Sequence, residues 1–119
     1  MQATELKALV LDALDQLKAV DVVVLDVAQH SGFTDFMVVA TGTSNRQVKA
    51  LADNLVRRCR EHGVRPLGVE GEQAAEWVLV DLGDVVVHIM QPQIRAFYNL
   101  EKLWSLAENA GIAARRRGN

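Results

Sequence analysis

A single cysteine, Cys59, leaves this 119-residue chain without an internal disulfide, so nothing indicates covalent staples or an oxidising compartment. One domain of that length buries a sufficient core without them. No apolar run approaches the ~18 residues of a membrane span, and the N-terminus lacks a basic-then-apolar signal pattern. The expectation is a cytoplasmic protein with no membrane contact. Also missing are a Gly-rich P-loop with its Lys, zinc-like Cys or His spacing, an Asp-x-Asp metal pair and a nucleophile–base arrangement. His30, His62 and His88 are scattered over a turn, a helix end and a strand. These absences lead to the expectation of no catalytic residue, no cofactor and no bound metal. No repeat or low-complexity tract divides the chain.

Charge narrows the partners. Thirteen basic residues face fifteen acidic ones, and three of the basic ones are Arg115, Arg116 and Arg117 in a C-terminal stretch of fading periodicity. The domain is therefore taken as 1–106, with 107–119 as a disordered Arg-containing tail. Without those arginines the remainder is distinctly acidic, which argues against direct nucleic-acid binding, where cations must replace counterions.

What is present centres on Gly68–Gln91. Two Val-rich runs, Trp77–Leu82 and Val85–Met90, flank Gly83-Asp84 and read as an antiparallel hairpin. A two-residue loop at Leu82-Gly83 pairs Trp77 with His88 and Asp81 with Asp84; a loop at Gly83-Asp84 shifts the pairs but keeps the faces. One face is Val78, Val80, Val85, Val87 and Ile89, a core face. The other mixes Trp77, Leu79, Asp81, Val86, His88 and Met90. Two readings fit it: a sheet covered on both sides, or a partner-binding face with an aromatic anchor and an acidic rim. Asp81 and Asp84, preceded by Glu70, Glu72 and Glu76, suit a cation or a basic surface supplied from outside.

The remaining chain supplies layers. Thr4–Ala19 has helical spacing of Leu6, Leu9, Val10, Ala13, Leu14 and Leu17. Asp21–Val27 reads as a strand that is central or covered on both sides and Asp35–Thr41 as its antiparallel neighbour. Ser44 and Gln47 have capping-box spacing before a helix with stripe Val48, Leu51, Ala52, Leu55, Val56 and Cys59, stopped at Gly63. Cys59 on that stripe is core, and Arg57, Arg58 and Arg60 suit the helix dipole. Pro66–Val69 suits a short edge strand, and Pro92 opens a last helix carrying Ile94, Phe97, Tyr98 and Trp104. The order predicts a single layered α/β domain with a mixed sheet flanked by helices. The excess of apolar strand positions over what these helices cover predicts a homodimer.

Gly42-Thr43-Ser44 between strand and helix has the shape of a phosphate-cradling turn. With Asp81 and Asp84 it suggests an alternative, a metal-dependent nucleotidyl or phosphoryl transferase using Ser44, Asp81 and Asp84. A Ser N-cap after a strand-end Gly is common, however, and the two aspartates straddle a turn.

The motifs Thr41-Gly42-Thr43-Ser44 with Gln47-Val48, Gly68-Val69-Glu70-Gly71, Trp77 through Asp81-Leu82-Gly83-Asp84 to His88, and Tyr98-x-Leu100-Glu101-x-Leu103-Trp104 together resemble the ribosomal silencing factor family (RsfS, Iojap or YbeB-like) from about Leu6 to Trp104. Many relatives carry an aromatic where Leu82 and Met90 stand. The resemblance implies a nucleotidyltransferase-like topology without that activity, a homodimer, and binding to large-subunit ribosomal protein fourteen (uL14 family). Bound there, the family blocks subunit joining and represses translation under nutrient limitation. It implies a partner face of Trp77, Leu82 and Tyr98 as apolar anchors and Asp81 and Asp84 as charge partners. His88 would be a hydrogen-bonding neighbour of Trp77. Trp104 fits either packing on the sheet or contact.

Overall fold

The computed structural model describes residues 1–29 and 31–98, the last two as backbone only. The element order is α1 Ala3–Gln16, β1 Val20–Asp26, β2 Phe36–Thr41, α2 Asn45–Glu61, β3 Gly68–Glu70, β4 Trp77–Asp81, β5 Val85–Met90 and α3 Pro92–Tyr98. The strands form one mixed sheet in the order β1-β2-β5-β4-β3. Only the central β2–β5 pair is parallel, with Phe36 opposite Val85 and Thr41 opposite Met90. No helix among the described residues is long and apolar enough to cross a membrane.

Both long helices lie on one face. The α1 stripe (Leu6, Leu9, Val10, Ala13, Leu14) and the α2 stripe (Val48, Leu51, Ala52, Leu55, Cys59) bury against Phe36, Val38, Ala40, Val78, Val80, Val87 and Ile89. Asn54, buried among them, ties the helices together: its Nδ2 donates to the Ala13 carbonyl at 3.0 Å and to Gln16 Oε1 at 3.1 Å.

The two helices end alike. After α2, the Gly63 amide donates to the Arg60 carbonyl and the Val64 amide to the Cys59 carbonyl, with Gly63 at φ +79°. That is a Schellman stop at the glycine expected from sequence. After α1, Lys18 and Ala19 make the same pair of bonds to Asp15 and Leu14, but the left-handed position holds Lys18 at φ +62°. A side chain there is sterically penalised.

The reading of β1 as a strand that is central or covered on both sides is corrected. It is an edge strand, with Val20 40% and Val22 37% exposed. Its start bulges out of register between Val20 and Val23, with Asp21 at φ +50°. From α3, the Arg95 guanidinium holds that bulge by donating to the Asp21 carbonyl at 2.6 Å and to Thr41 Oγ1 at 2.8 Å.

Candidate functional site

The face of the sheet turned away from α1 and α2 is built by strand alternation and register. The observed hairpin loop is Gly83-Asp84, so Trp77 lies opposite Met90, Leu79 opposite His88 and Asp81 opposite Val86. Adding the neighbouring ladders gives rows across the sheet. One runs Val23, Val39, His88, Leu79, Glu70, and the next Leu25, Met37, Val86, Asp81, Gly68. Val27, Met37, Val39 and Met90 form a small core on this side, with Leu25, Phe33, Trp77 and Ile94 packed around it. Each row thus passes from apolar at β1 to acidic or open at β3.

Trp77 and His88 are diagonal neighbours on this face. The indole Nε1 donates to His88 Nδ1 at 3.0 Å, and the ring centroids lie 5.9 Å apart. The bond requires a lone pair on Nδ1, hence a neutral ring with its proton on Nε2. With His88 only 9% exposed and set in β5, the indole orientation is fixed by a rigid strand. Beside it, Glu70, Gly71, Trp77, Leu79 and His88 line a groove of about 220 Å³. That is below the usual size of a small-molecule pocket and suits one side chain of a partner. Glu70, one of its walls, is exposed, as is Glu76 next to Trp77 in the chain, whereas Glu72 lines a recess with α2 residues and Asp84 stands exposed at the far end of the hairpin.

The structure treats the other anticipated residues unevenly. Asp81 and Asp84 are not a facing pair. Asp81 Oδ1 accepts from the Gly83 amide at 2.9 Å and so shapes the turn, while Asp84 projects at the tip. Leu82 is 6% exposed and belongs to the helix-side core with Val78 and Val80. Period two puts it on the opposite face from Trp77, so it braces the tip from within rather than presenting an anchor. The side chain of Tyr98, with Trp104 and the Arg115–Arg117 tail, lies outside the described residues. Sequence reading missed Glu70 and Leu79 as groove walls. Their signal was available in the Gly68–Glu70 run, whose pairing with β4 places Glu70 beside Leu79. Phe33 was also missed, because only the fold brings its loop to this face.

The transferase constellation does not assemble. Ser44 lies beyond the Thr41/Met90 end of the central strands, whereas Asp84 sits at the Phe36/Val85 end, its carbonyl accepting from the Asp35 and Phe36 amides. A six-residue strand separates them by roughly 17 Å. The phosphate-like turn is also filled from within. Gln47 Oε1 accepts from the Thr43 amide at 2.7 Å and the Thr43 hydroxyl at 2.8 Å, and Ser44 Oγ accepts from the Gln47 amide at 3.1 Å. Gln47 Nε2 then donates to the Leu17 carbonyl at 3.2 Å, closing the end of α1. The turn is a structural clasp. No group of three His, Cys, Asp or Glu side chains among the described residues is placed to hold a metal. Cys59 is fully buried, and desolvation pushes its thiol up to about 11 despite the opposing Arg58 charge, so it is inert at neutral pH.

Comparison with known proteins shows the family and the fold. The family model "Ribosomal silencing factor during starvation" matches residues 1–118. A ribosomal silencing factor RsfS of Haemophilus influenzae is 50% identical over 95 residues, 80% of this chain and 93% of that protein. A crystal structure of a Chromobacterium violaceum protein superposes with a TM-score of 0.86 at 46% identity, covering 88% of each chain. A relative from Mus musculus, named for mitochondrial assembly of the ribosomal large subunit, is 38% identical over 98 residues, 78% of this chain and 42% of that protein.

Proposed function

Because the chain belongs to the ribosomal silencing factor (RsfS) family, we propose that it docks on large-subunit ribosomal protein fourteen through the open face of its sheet and blocks subunit joining by its bulk. The observation that carries this reading is the Trp77 indole, tied to His88 beside a groove that takes one side chain and has the exposed Glu70 as one wall. An anchor already held in one orientation loses little rotamer freedom on binding. An acidic rim complements a ribosomal protein, which is typically basic, and steers its approach. The large-subunit name of the mouse relative points the same way.

The mechanism is an equilibrium one, without a covalent step. The bound factor and the small subunit compete for one surface, and silencing under nutrient limitation follows from the share of large subunits occupied. This places the protein where ribosomes work, in the cytoplasm. We also propose that it is a homodimer, a reading supported by the exposed apolar side chains of Leu17, Val20 and Val22 around the β1 edge. Sedimentation equilibrium at micromolar concentration reads the mass directly; a strictly monomeric mass refutes the dimer. Docking is tested by co-sedimentation with isolated large subunits, isolated small subunits and joined ribosomes. Binding to large subunits alone is the expected result, and equal binding to small subunits or joined ribosomes would overturn it.

A further inference from the structure

Four arginines gather near the C-terminal end of α2, and the fold separates them into two kinds. Arg57 Nη1 meets Glu61 Oε2 at 3.1 Å, and Arg58 Nη2 meets Asp12 Oδ2 at 3.0 Å, so both are neutralised within the protein. Arg60 and Arg65 have no carboxylate partner among the described residues. The Schellman turn brings these two together: with Gly63 they line one recess of about 480 Å³ that has no acidic side chain among its described lining residues, while Arg60 also borders a second recess with Asp53, Glu61 and Glu72.

Two further features suit an anion. The partial negative charge of a helix C-terminus would oppose one, but here three of the last four carbonyls are occupied. Those of Cys59 and Arg60 accept from the Val64 and Gly63 amides, and that of Arg58 lies 3.0 Å from His62 Nδ1. At Gly63 the space a Cβ would occupy is open, so a ligand backbone can approach the floor. On a chain with more acidic than basic residues, a recess walled by two unneutralised guanidiniums is a local reversal of sign.

We propose that this recess contacts the phosphate backbone of ribosomal RNA when the protein sits on the large subunit, an inference that rests on the docking proposed above. The recess lies at the turn that leads from α2 into β3, and the Trp77 groove lies on the face of β3 turned away from the helices, Val69 pointing to the helices and Glu70 to the groove. A protein partner held at the groove therefore leaves the arginines beside it for the neighbouring RNA. The contact is by charge and carries no base sequence.

The experiment is a salt series of equilibrium binding for wild type, the double variant Arg60→Gln/Arg65→Gln and Trp77→Ala. Two probes are used: intact large subunits and isolated ribosomal protein fourteen. Each phosphate neutralised contributes about 0.7–0.9 to the slope of log affinity against log salt. The double variant should lower that slope by about 1.5 on large subunits. Wild-type affinity should then fall about eight-fold further than the variant's between about 50 and 200 mM salt. On the isolated protein the double variant should match wild type. An unchanged slope on large subunits overturns the inference, as does equal weakening on both probes, which would make the arginines a protein contact. Wild-type binding by Trp77→Ala on both probes would refute the docking face instead, and the arginine result on large subunits would still be read. If wild type binds neither probe, both proposals fall.

Discussion

Gly71 closes the loop that carries β3 into β4, and replacing it by Ala should damage the candidate face from a position outside it. Two costs add. Its φ of +86° is a left-handed conformation in which a side chain costs about 1–2 kcal/mol. A Cβ built there overlaps the Trp77 carbonyl oxygen and lies 3.3 Å from the Trp77 carbonyl carbon. Backbone, not a flexible side-chain tip, must give way, and such overpacking costs a further ~1–3 kcal/mol. The sum is about 3 kcal/mol, which lowers the melting temperature of a domain this size by roughly 12–20 °C. Because the displaced group is Trp77 itself, the indole should also lose its bond to His88. The assay is a thermal melt by circular dichroism with Trp77 emission followed in a Trp104→Phe background. Gly68→Ala is the control: it has no positive φ and no atom within 4 Å of a built Cβ. If the Gly71→Ala variant melts with the control and keeps the wild-type emission, the steric reasoning is wrong.

Trp77→Ala should weaken binding to large subunits by ~2 kcal/mol, roughly thirty-fold; unchanged affinity with an intact melt moves the interface elsewhere. Lys18→Gly should stabilise the protein by about 1 kcal/mol by relieving the left-handed Lys, read as a raised urea midpoint at constant slope, and no gain would mean the position is unstrained. Asn54→Leu removes the bonds to Ala13 and Gln16 and leaves buried acceptors behind, so a loss of about 2–3 kcal/mol is expected; a neutral result in the same urea titration would show that the helices do not depend on this tie. The raised Cys59 pKa means the folded state holds the thiol proton more tightly than the unfolded chain, whose value is 9.0. Its contribution is complete below pH 9 and is lost as pH rises towards 11. Cys59→Ala should flatten that decline in melts across the window, and an identical decline in the variant would assign it to other groups.

Local chemistry was the legible part of this chain. The two hairpin faces followed from alternation alone, and the Ser44 cap, the Gly63 stop and the Pro92 start were written in single residues. Most of what failed had non-local causes. Asp21–Val27 looks covered because Val and Leu fall on both its faces, yet nothing in it says that β2 takes β5 as its other neighbour and leaves β1 at the edge. The Asp81–Asp84 pair dissolved once the loop proved to be Gly83-Asp84, a one-residue choice that repairs every pair while leaving the faces intact. Leu82 was carried to the partner face by resemblance, against its own parity with Val78 and Val80. Gln47 was legible as a cap partner but not as a clasp, since the Leu17 carbonyl it reaches is brought to it only by the packing of α1.

The parallel β2–β5 seam has a consequence for how the chain reaches this state. Every other ladder in the sheet joins strands adjacent in sequence, β1 with β2 and β3 with β4 with β5, so two halves can zip locally. The seam alone must bring Val38 against Val87 across the whole of α2 and the β3–β4 segment, and that loop has to close before any ladder contact rewards it. Refolding speed should therefore be governed by this one junction, with φ-values at Val38 and Val87 above those within either half. The Asp84 carbonyl, shared by the Asp35 and Phe36 amides, stands at its starting end like the first tooth of a zip.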